Sequence, residues 1–465
     1  MIAAGTPPSL GVDLRRFAST YSTEQLITTL YLENLHLKNL HLKGEHPLTF
    51  EEADVDLPTV EQAISDEKYS TAREYVAIDQ ESGPRFLVLA NEYPDVGSEY
   101  GNGFVHRRVK AYQSMGAKVD VIAFGRRRTK RIYEYDGVRV LSGYGYELLG
   151  LLSLRDYVSV SVHFLNPTMW NLLYAARRRS RFVFFLHGYE VDRWIRREFE
   201  HGTPEELRLA IARTLYLQTF WKHVTENLEL QAHFVFVSEW WRRLVAEDME
   251  VVIPARRSSI IHNFIDTNLF SYQEKPAEQA YKILWVRSAS SRKYGADLAA
   301  RCLETLRLDS GAWHRFSVRI IGDGDHFDEF ESRFSSDPQV TIERRFASQQ
   351  EIAALHKKYG LLMVPTRYDS QGVSRDEAMS SGLVPVTNAV AAVPEFVDSS
   401  CAILAGPEDV EGLAQGIMRV TSNPELFQAM SRRAAQRANQ QCGPEATVRR
   451  EAVLLGMVDK EQLLW

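Results

Sequence analysis

The chain has 465 residues, 45% of them hydrophobic and 25% charged, which is ordinary usage for a soluble globular protein and enough for two cores. Its 55 basic and 61 acidic residues leave a formal charge of −6, a balance that argues against a nucleic-acid partner. The three cysteines, Cys302, Cys401 and Cys442, lack metal-ligand spacing and fit a reducing compartment. No apolar run approaches the roughly 18 residues of a membrane span, and no basic region with an apolar core opens the chain. A cytoplasmic protein is expected, with at most peripheral contact at the inner face of the membrane.

Residues 1–80 carry no chemical constellation and are expected to form a mostly helical N-terminal extension. Ser22 and Gln25 fit the start of a helix through Leu30, and NLHLK occurs twice, at 34–38 and 39–43, too few copies for a solenoid. The segment reads as a docking arm or oligomer contact, with another helix predicted from Val60 to Tyr75. RFLVLA, Arg85 to Ala90, is the first buried strand. The chain then bends through Pro94, Gly97, Gly101 and Gly103, a helix runs from Phe104 to Met115, and a strand from Lys118 to Phe124.

This opening is Rossmann-like without the Gly-x-Gly-x-x-Gly fingerprint. Tyr157 to Phe164, Phe182 to Leu186, Phe234 to Val237 and Ser259 to Ile261 read as further strands, most economically parallel with crossover helices. His187 closes one of them, where open α/β sheets bind ligands, so its imidazole is expected in the crevice. Glu190 suits either an acceptor contact or a cap, while Ser238 and Glu239 suit a helix start. Basic clusters at Arg126 to Arg128, Arg177 to Arg179 and Trp240 to Arg243 suit solvated faces or an anionic membrane surface.

A polar segment, Ser271 to Tyr281, predicts the domain boundary. The expected units are the extension 1–80, a first Rossmann-like domain 81–272, a second Rossmann-like domain 273–445 and a helical tail 446–465. KILWV, Lys282 to Val286, starts the second strand series and leads into RSASSRKYG, where Arg287 and Lys293 offer two cations at a strand end for a diphosphate. Asp323, Gly324 and Asp325 read as a tight turn, not a metal site, and no metal ligand set is expected.

The stretch Pro365 to Glu395 is a predicted strand–loop–helix–strand unit. Ser374 and Glu377 have capping-box spacing, which places the helix start at Arg375 and its stop at Gly382. The helix N-terminus then faces the loop Asp369 to Gly372, a ready anion site with a carboxylate on either side.

The string YDSQGVSRDEAMSSGLVPV, with Pro394 and Glu395 after it, resembles the Glu-x7-Glu, Ala-Met-Ala-x-Gly and Pro-Glu motifs of the retaining glycosyltransferases of family four. Arg287 and Lys293 match that family's diphosphate-binding pair, IIHNFIDTNLF is similar to its interdomain segment, and IIGDG to its Gly-x-Gly turn. The resemblance spans about residues 84–445 and implies an acceptor domain at 81–272 and a nucleotide-sugar donor domain at 273–445. It implies α/β architecture of the GT-B fold, two facing Rossmann-like domains, and transfer of a hexose-type sugar from a nucleotide-diphosphate sugar to a glycan or lipid-linked acceptor, in surface polysaccharide or glycoconjugate synthesis. It also implies Arg287, Lys293, His187 and Asp369 in the chemistry, and donor contacts at Gly101, Gly103, Gly372, Val373, Ser374 and Glu377. Asp369 departs from the family's usual Glu, Val286 from its glycine, and Tyr294 is inserted before Gly295. No cofactor or metal is implied beyond the nucleotide sugar as substrate. The alternative from another class is a non-catalytic nucleotide- or glycan-binding module in an assembly.

Overall fold

The computed structural model describes residues 50, 52–53, 55–96, 101–125, 130–309 and 311–459. The expectations for the helix to Leu30, the NLHLK repeat, Gly97 and Arg126 to Arg128 lie outside these residues. Two sheets form the frame. The first contains β1 Arg85–Ala90, β2 Lys118–Phe124, β3 Arg131–Tyr135, β4 Val138–Gly143, β5 Ser159–His163, β6 Arg181–Leu186, β7 Ala232–Phe236 and β8 Ser258–Ile260. Its order is β3, β4, β2, β1, β5, β6, β7, β8. The second contains β9 Lys282–Val286, β10 Ser317–Gly322, β11 Val340–Arg344, β12 Leu361–Met363, β13 Val384–Asn388 and β14 Ile403–Ala405, in the order β11, β10, β9, β12, β13, β14.

The predicted strands all pair in parallel; the one antiparallel pairing joins β3 and β4, two strands the sequence reading did not predict. Asp136 and Gly137 take positive φ of 45° and 73° in the tight turn joining that hairpin, the conformation that Asp-Gly pairs favour. Both sheets are covered on both faces, as parallel sheets must be. Within β9, Ile283 and Trp285 enter one hydrophobic cluster, while Leu284 and Val286 enter another on the opposite face. The core of the first domain is aromatic, with Trp170, Phe182, Phe184, Trp221 and Trp241 all fully buried.

The helix expected from Val60 to Tyr75 is broken. Asp66 leaves the helical region at φ −83°, ψ 127°, and its carboxylate accepts from the N–H of Lys68, so helices Val60–Ser65 and Ser70–Ile78 flank a short 3₁₀ turn. Both helices lie on the first domain. Gly150 lets Ala72 and Tyr69 approach the helix Gly145–Leu154, because a β-carbon there would fall 2.7 Å from that of Ala72. Tyr75 donates to the carbonyl of Arg139 and accepts from the N–H of Val121, both at 3.2 Å.

The last described helix, Val448–Leu455, also returns to the first domain. Fully buried Arg108 donates from Nε to both oxygens of buried Glu451, at 3.0 and 3.2 Å, and Tyr112 donates to the same carboxylate at 2.5 Å. Nη2 of Arg108 reaches Asn263 Oδ1 at 2.9 Å, in the segment that joins the two sheets. A buried guanidinium with this many acceptors is compensated, so the network ties the end of the chain to the junction.

Candidate active site

Two loops at the C-terminal ends of the second sheet's strands are knit together. Arg287, at the end of β9, is half-buried and donates from Nη1 to the carbonyls of Tyr294 at 3.3 Å and Pro365 at 3.1 Å. Its Nε is buried without a hydrogen-bond partner. Burial pushes the guanidinium down from its ordinary value; Asp369 and Tyr294 oppose the fall and Arg375 adds to it. Gly322 makes the approach possible, since a β-carbon there would sit 2.2 Å from the carbonyl oxygen of Arg287.

Lys293 lies on the 3₁₀ turn Arg292–Tyr294, its ammonium 4.7 Å from the centre of the Tyr294 ring. Its carbonyl accepts from Thr366 Oγ1 and the N–H of Arg367, at 2.8 and 2.9 Å. The two sequence-predicted cations are therefore brought to the same loop pair as Asp369, whose carboxylate accepts from the N–H of Gln371 at 3.2 Å.

The helix beyond this loop runs Val373–Ser380, with Gly372 as its N-cap at φ 103°, ψ 61°. That corrects the expected capping box. Ser374 lies inside the first turn, and Glu377 turns away from the backbone to meet another domain. Only glycine enters this left-handed conformation without strain, so the helix starts two residues early and its first N–H groups receive no side-chain cap. Gly372, Val373 and Ser374 thus form an uncapped helix start beside Asp369, the geometry that suits an anion.

Glu377 is 4% exposed, and its Oε1 accepts from Nη2 of Arg107 at 2.6 Å. Burial pushes its carboxyl up from the ordinary range; Arg107 opposes this, and Asp376 and Asp266 add to it. Arg107 belongs to the helix Gly103–Ser114 of the first domain, directly after the Gly101 and Gly103 turn. The pair therefore spans the crevice.

Several further contacts cross it. Tyr368 donates to Asp192 Oδ1 at 2.9 Å, and Ser238 donates to the carbonyl of Ser370 at 2.7 Å. Ser370 Oγ donates to the carbonyl of His187. Gln371 accepts from the N–H of Asn263 at 2.6 Å and donates to Asp376 at 3.0 Å. Glu395, of the Pro-Glu pair, accepts from the N–H groups of Glu239 and Trp240 at 2.9 and 3.0 Å, capping a first-domain helix from the second domain. Glu200 accepts from Ser291 Oγ and from the N–H of Lys293, the latter at 3.1 Å.

His187 follows β6 as predicted, but its ring does not stand open in the crevice. It is buried, 2.9 Å from Nδ1 of His163 and packed against Phe104 and Phe164 at centroid distances of 4.9 and 4.8 Å. Burial, then Arg108, push its pKa well below the histidine range. Glu190 is a loop staple: its carboxylate accepts from the N–H groups of His187 and Gly188, and burial pushes its carboxyl up to about 7. Ser238 is the N-cap expected of it, accepting from Trp241 N–H at 3.1 Å.

Sequence reasoning missed Arg107, Asp192, Glu200 and Gln371. Each partners a residue far away along the chain, and Arg107 and Glu377 are 270 positions apart. A cavity of about 370 Å³ opens on the first domain, bounded by Asp192, Trp194, Arg197, Glu200, Leu209 and Arg213. Asp192 is buried, which pushes its carboxyl up, while Arg197, Tyr368, Arg213 and Lys293 pull it back. Among the described residues no group of three or more His, Cys, Asp or Glu side chains is arranged to hold a metal ion, and no helix is long and apolar enough to cross a membrane.

Residues 102–269 match the model of Glycosyltransferase Family 4, and residues 280–423 that of Glycosyl transferases group 1. No curated protein matches the sequence. Among solved structures, the sucrose-phosphate synthase of Thermosynechococcus elongatus is similar at 14% identity and TM-score 0.60, covering 80% of this chain and 98% of that one. The Anabaena protein HepE, solved with UDP and glucose, has 15% identity and TM-score 0.54 over 80% of this chain and 100% of its own. The α,α-trehalose 6-phosphate synthase of Burkholderia multivorans has 13% identity and TM-score 0.57, covering 82% and 98%. These likenesses are to the fold, and with one family model on each half, the chain is a family-4-like glycosyltransferase of GT-B fold.

Proposed function

We propose that the protein transfers a hexose-type sugar from a nucleotide-diphosphate sugar to a glycan or lipid-linked acceptor, with retention of anomeric configuration and without a metal. What supports this reading is that Arg287 and the Lys293 turn hydrogen-bond to the Pro365–Thr366 end of the loop that carries Asp369 and leads into the uncapped helix start at Gly372. Departure of the nucleotide builds negative charge on its terminal phosphate. A guanidinium with a spare buried N–H, the Lys293 ammonium and helix N–H groups stabilise such charge more in the transition state than before it. Asp369 grips donor-sugar hydroxyls and Glu377 the ribose. Gly101 and Gly103, at the start of the first-domain helix, let the donor approach the backbone. His187, neutral and behind Phe104, positions the floor of the site and donates or accepts a hydrogen bond without carrying charge.

The acceptor enters from the first domain, where the cavity bounded by Asp192 and Glu200 offers room. Front-face attack, with the departing phosphate taking the acceptor proton, fits a site without an assigned nucleophile. The protein works in the cytoplasm on surface polysaccharide or glycoconjugate synthesis, and first-domain basic residues outside the crevice, such as Arg178 and Arg256, suit contact with an anionic inner membrane face. Nucleotide release is measured across UDP-, GDP- and dTDP-sugars with an acceptor panel. Turnover that drops about 100-fold or more in Lys293→Ala, with the fold intact, is expected. An unchanged rate in that variant removes the site assignment.

A further inference from the structure

Arg107 holds a place that the proposed reaction needs for something else. Its side chain is 11% exposed, and its hydrogen bonds go to second-domain partners: Nη2 on Glu377 at 2.6 Å and Nη1 on Gln349 Oε1 at 3.1 Å. Its Nε is buried without a hydrogen-bond partner. Gln349 opens the helix Gln349–His356 that follows β11, and Glu377 lies in the first turns of Val373–Ser380. One guanidinium thus bridges two second-domain helices across the mouth in which a nucleoside would lie.

We propose that Arg107 competes with the nucleoside for Glu377, so that the empty enzyme is latched by the Arg107–Glu377 pair and donor binding must release it. The inference rests on the donor reading of Glu377 given above. The physics is a competition for one carboxylate. Glu377 is nearly buried, so an unpaired charge there is costly, and it will always take a donor, either a guanidinium or ribose hydroxyls. A guanidinium is a charge-assisted donor and hydroxyls are neutral ones, so the latch is the stronger partner until base and diphosphate contacts are added. The nucleotide binds the unlatched fraction, and its apparent affinity is reduced by that fraction.

Removing the guanidinium therefore helps the ligand. If about one molecule in ten is unlatched, Arg107→Ala tightens nucleotide binding by up to about tenfold, because the variant is always competent. Arg107→Lys keeps a charge for Glu377 but loses the fork that also holds Gln349, and falls between the two.

The test is calorimetric titration of UDP, GDP and dTDP into the full-length wild type, Arg107→Ala, Arg107→Lys, Glu377→Gln, Lys293→Ala and the double variant Arg107→Ala/Glu377→Gln, with unfolding temperatures as the folding control. The expected result is a tighter Kd in Arg107→Ala for whichever nucleotide binds, and loss of that gain when Glu377 is already Gln. A Kd that Arg107→Ala leaves unchanged or weakens overturns the latch while leaving the donor reading in place. The same gain in the Glu377→Gln background also overturns it, since the effect would not run through the pair. Absence of binding by any nucleotide, or binding indifferent to both Glu377→Gln and Lys293→Ala, removes the donor reading and the latch together.

Discussion

Replacing Arg287 with Ala tests the charge arrangement most directly. The guanidinium is not free to swing, because the carbonyls of Tyr294 and Pro365 hold Nη1 at 3.3 and 3.1 Å. What remains for a ligand is the Nη2 group, the buried, unpartnered Nε and the charge itself. A hydrogen bond to a charged partner contributes about 1.5–3 kcal/mol. Removing one such donor from a developing anion typically costs about 2.7–4 kcal/mol, or roughly 10²–10³-fold in kcat. Arg287→Lys keeps the charge without the planar fork and should recover only part of that loss. The assay is nucleotide release at saturating donor, with circular dichroism and a urea midpoint as controls, since the two carbonyls also lose a donor in Arg287→Ala. A folded variant that turns over within about threefold of wild type would refute the role of Arg287 as the stabiliser of the leaving phosphate.

Glu451→Ala leaves the buried charge of Arg108 with only Asn263 and a long contact to the Phe104 carbonyl, so unfolding in urea should show a loss of about 3–5 kcal/mol. A loss below about 1 kcal/mol would mean that the end of the chain is not fixed by this network. Acid should destabilise the protein partly through histidines. His356 is pushed down to about 3 and His233 to about 4, both chiefly by burial, and their folded values lie below the unfolded value of about 6.5. The unfolded chain takes those protons first, so this stability is full above pH 6.5 and is lost as pH falls toward the folded values. Glu190, raised to about 7, works in the opposite direction across part of the same window. The clean readout is therefore a difference: the urea midpoint of His356→Phe should gain on wild type steadily from pH 6.5 to 4, and a constant offset would contradict the assignment.

The sheets were legible because buried parallel strands are short apolar runs bounded by turn residues, as in RFLVLA and KVDVIAF, whose observed limits match those expected. The β3–β4 hairpin escaped that reading, although Asp136-Gly137 between alternating residues signals it, because RIYEY is exposed and polar on one face. The short strand β14 escaped because three residues carry no period. At Ser374 the capping-box spacing competed with a left-handed glycine, and the backbone geometry of Gly372 decided the helix start. Arg287, Lys293 and Asp369 could be grouped from strand-end positions alone, since strand ends share one edge. Arg107 could not. Its neighbour Arg108, about 100° further round the helix, points into the buried C-terminal network, and nothing local separates the two arginines' destinations.

The loop that carries Asp369 belongs to both domains at once. Tyr368, Ser370 and Gln371 each direct a side chain to the first domain, reaching Asp192, the His187 carbonyl and the Asn263 backbone. Asp369 alone keeps its contacts within the second domain, through Gln371 N–H and the Ala392 N–H on its carbonyl. The carboxylate proposed to grip the donor sugar is thus aimed by residues on either side of it that hydrogen-bond only when the domains are closed. Opening the crevice would release Tyr368, Ser370 and Gln371 together and free the loop on which Asp369 and Gly372 sit. The same closure sets Glu200 against the Lys293 turn. Under the donor reading, the site is complete only in the closed form, where water is excluded and charge on the leaving phosphate meets fixed dipoles and not solvent. An Asp at position 369 then demands more of closure than a Glu would, because a shorter side chain reaches the sugar only if its loop is carried closer.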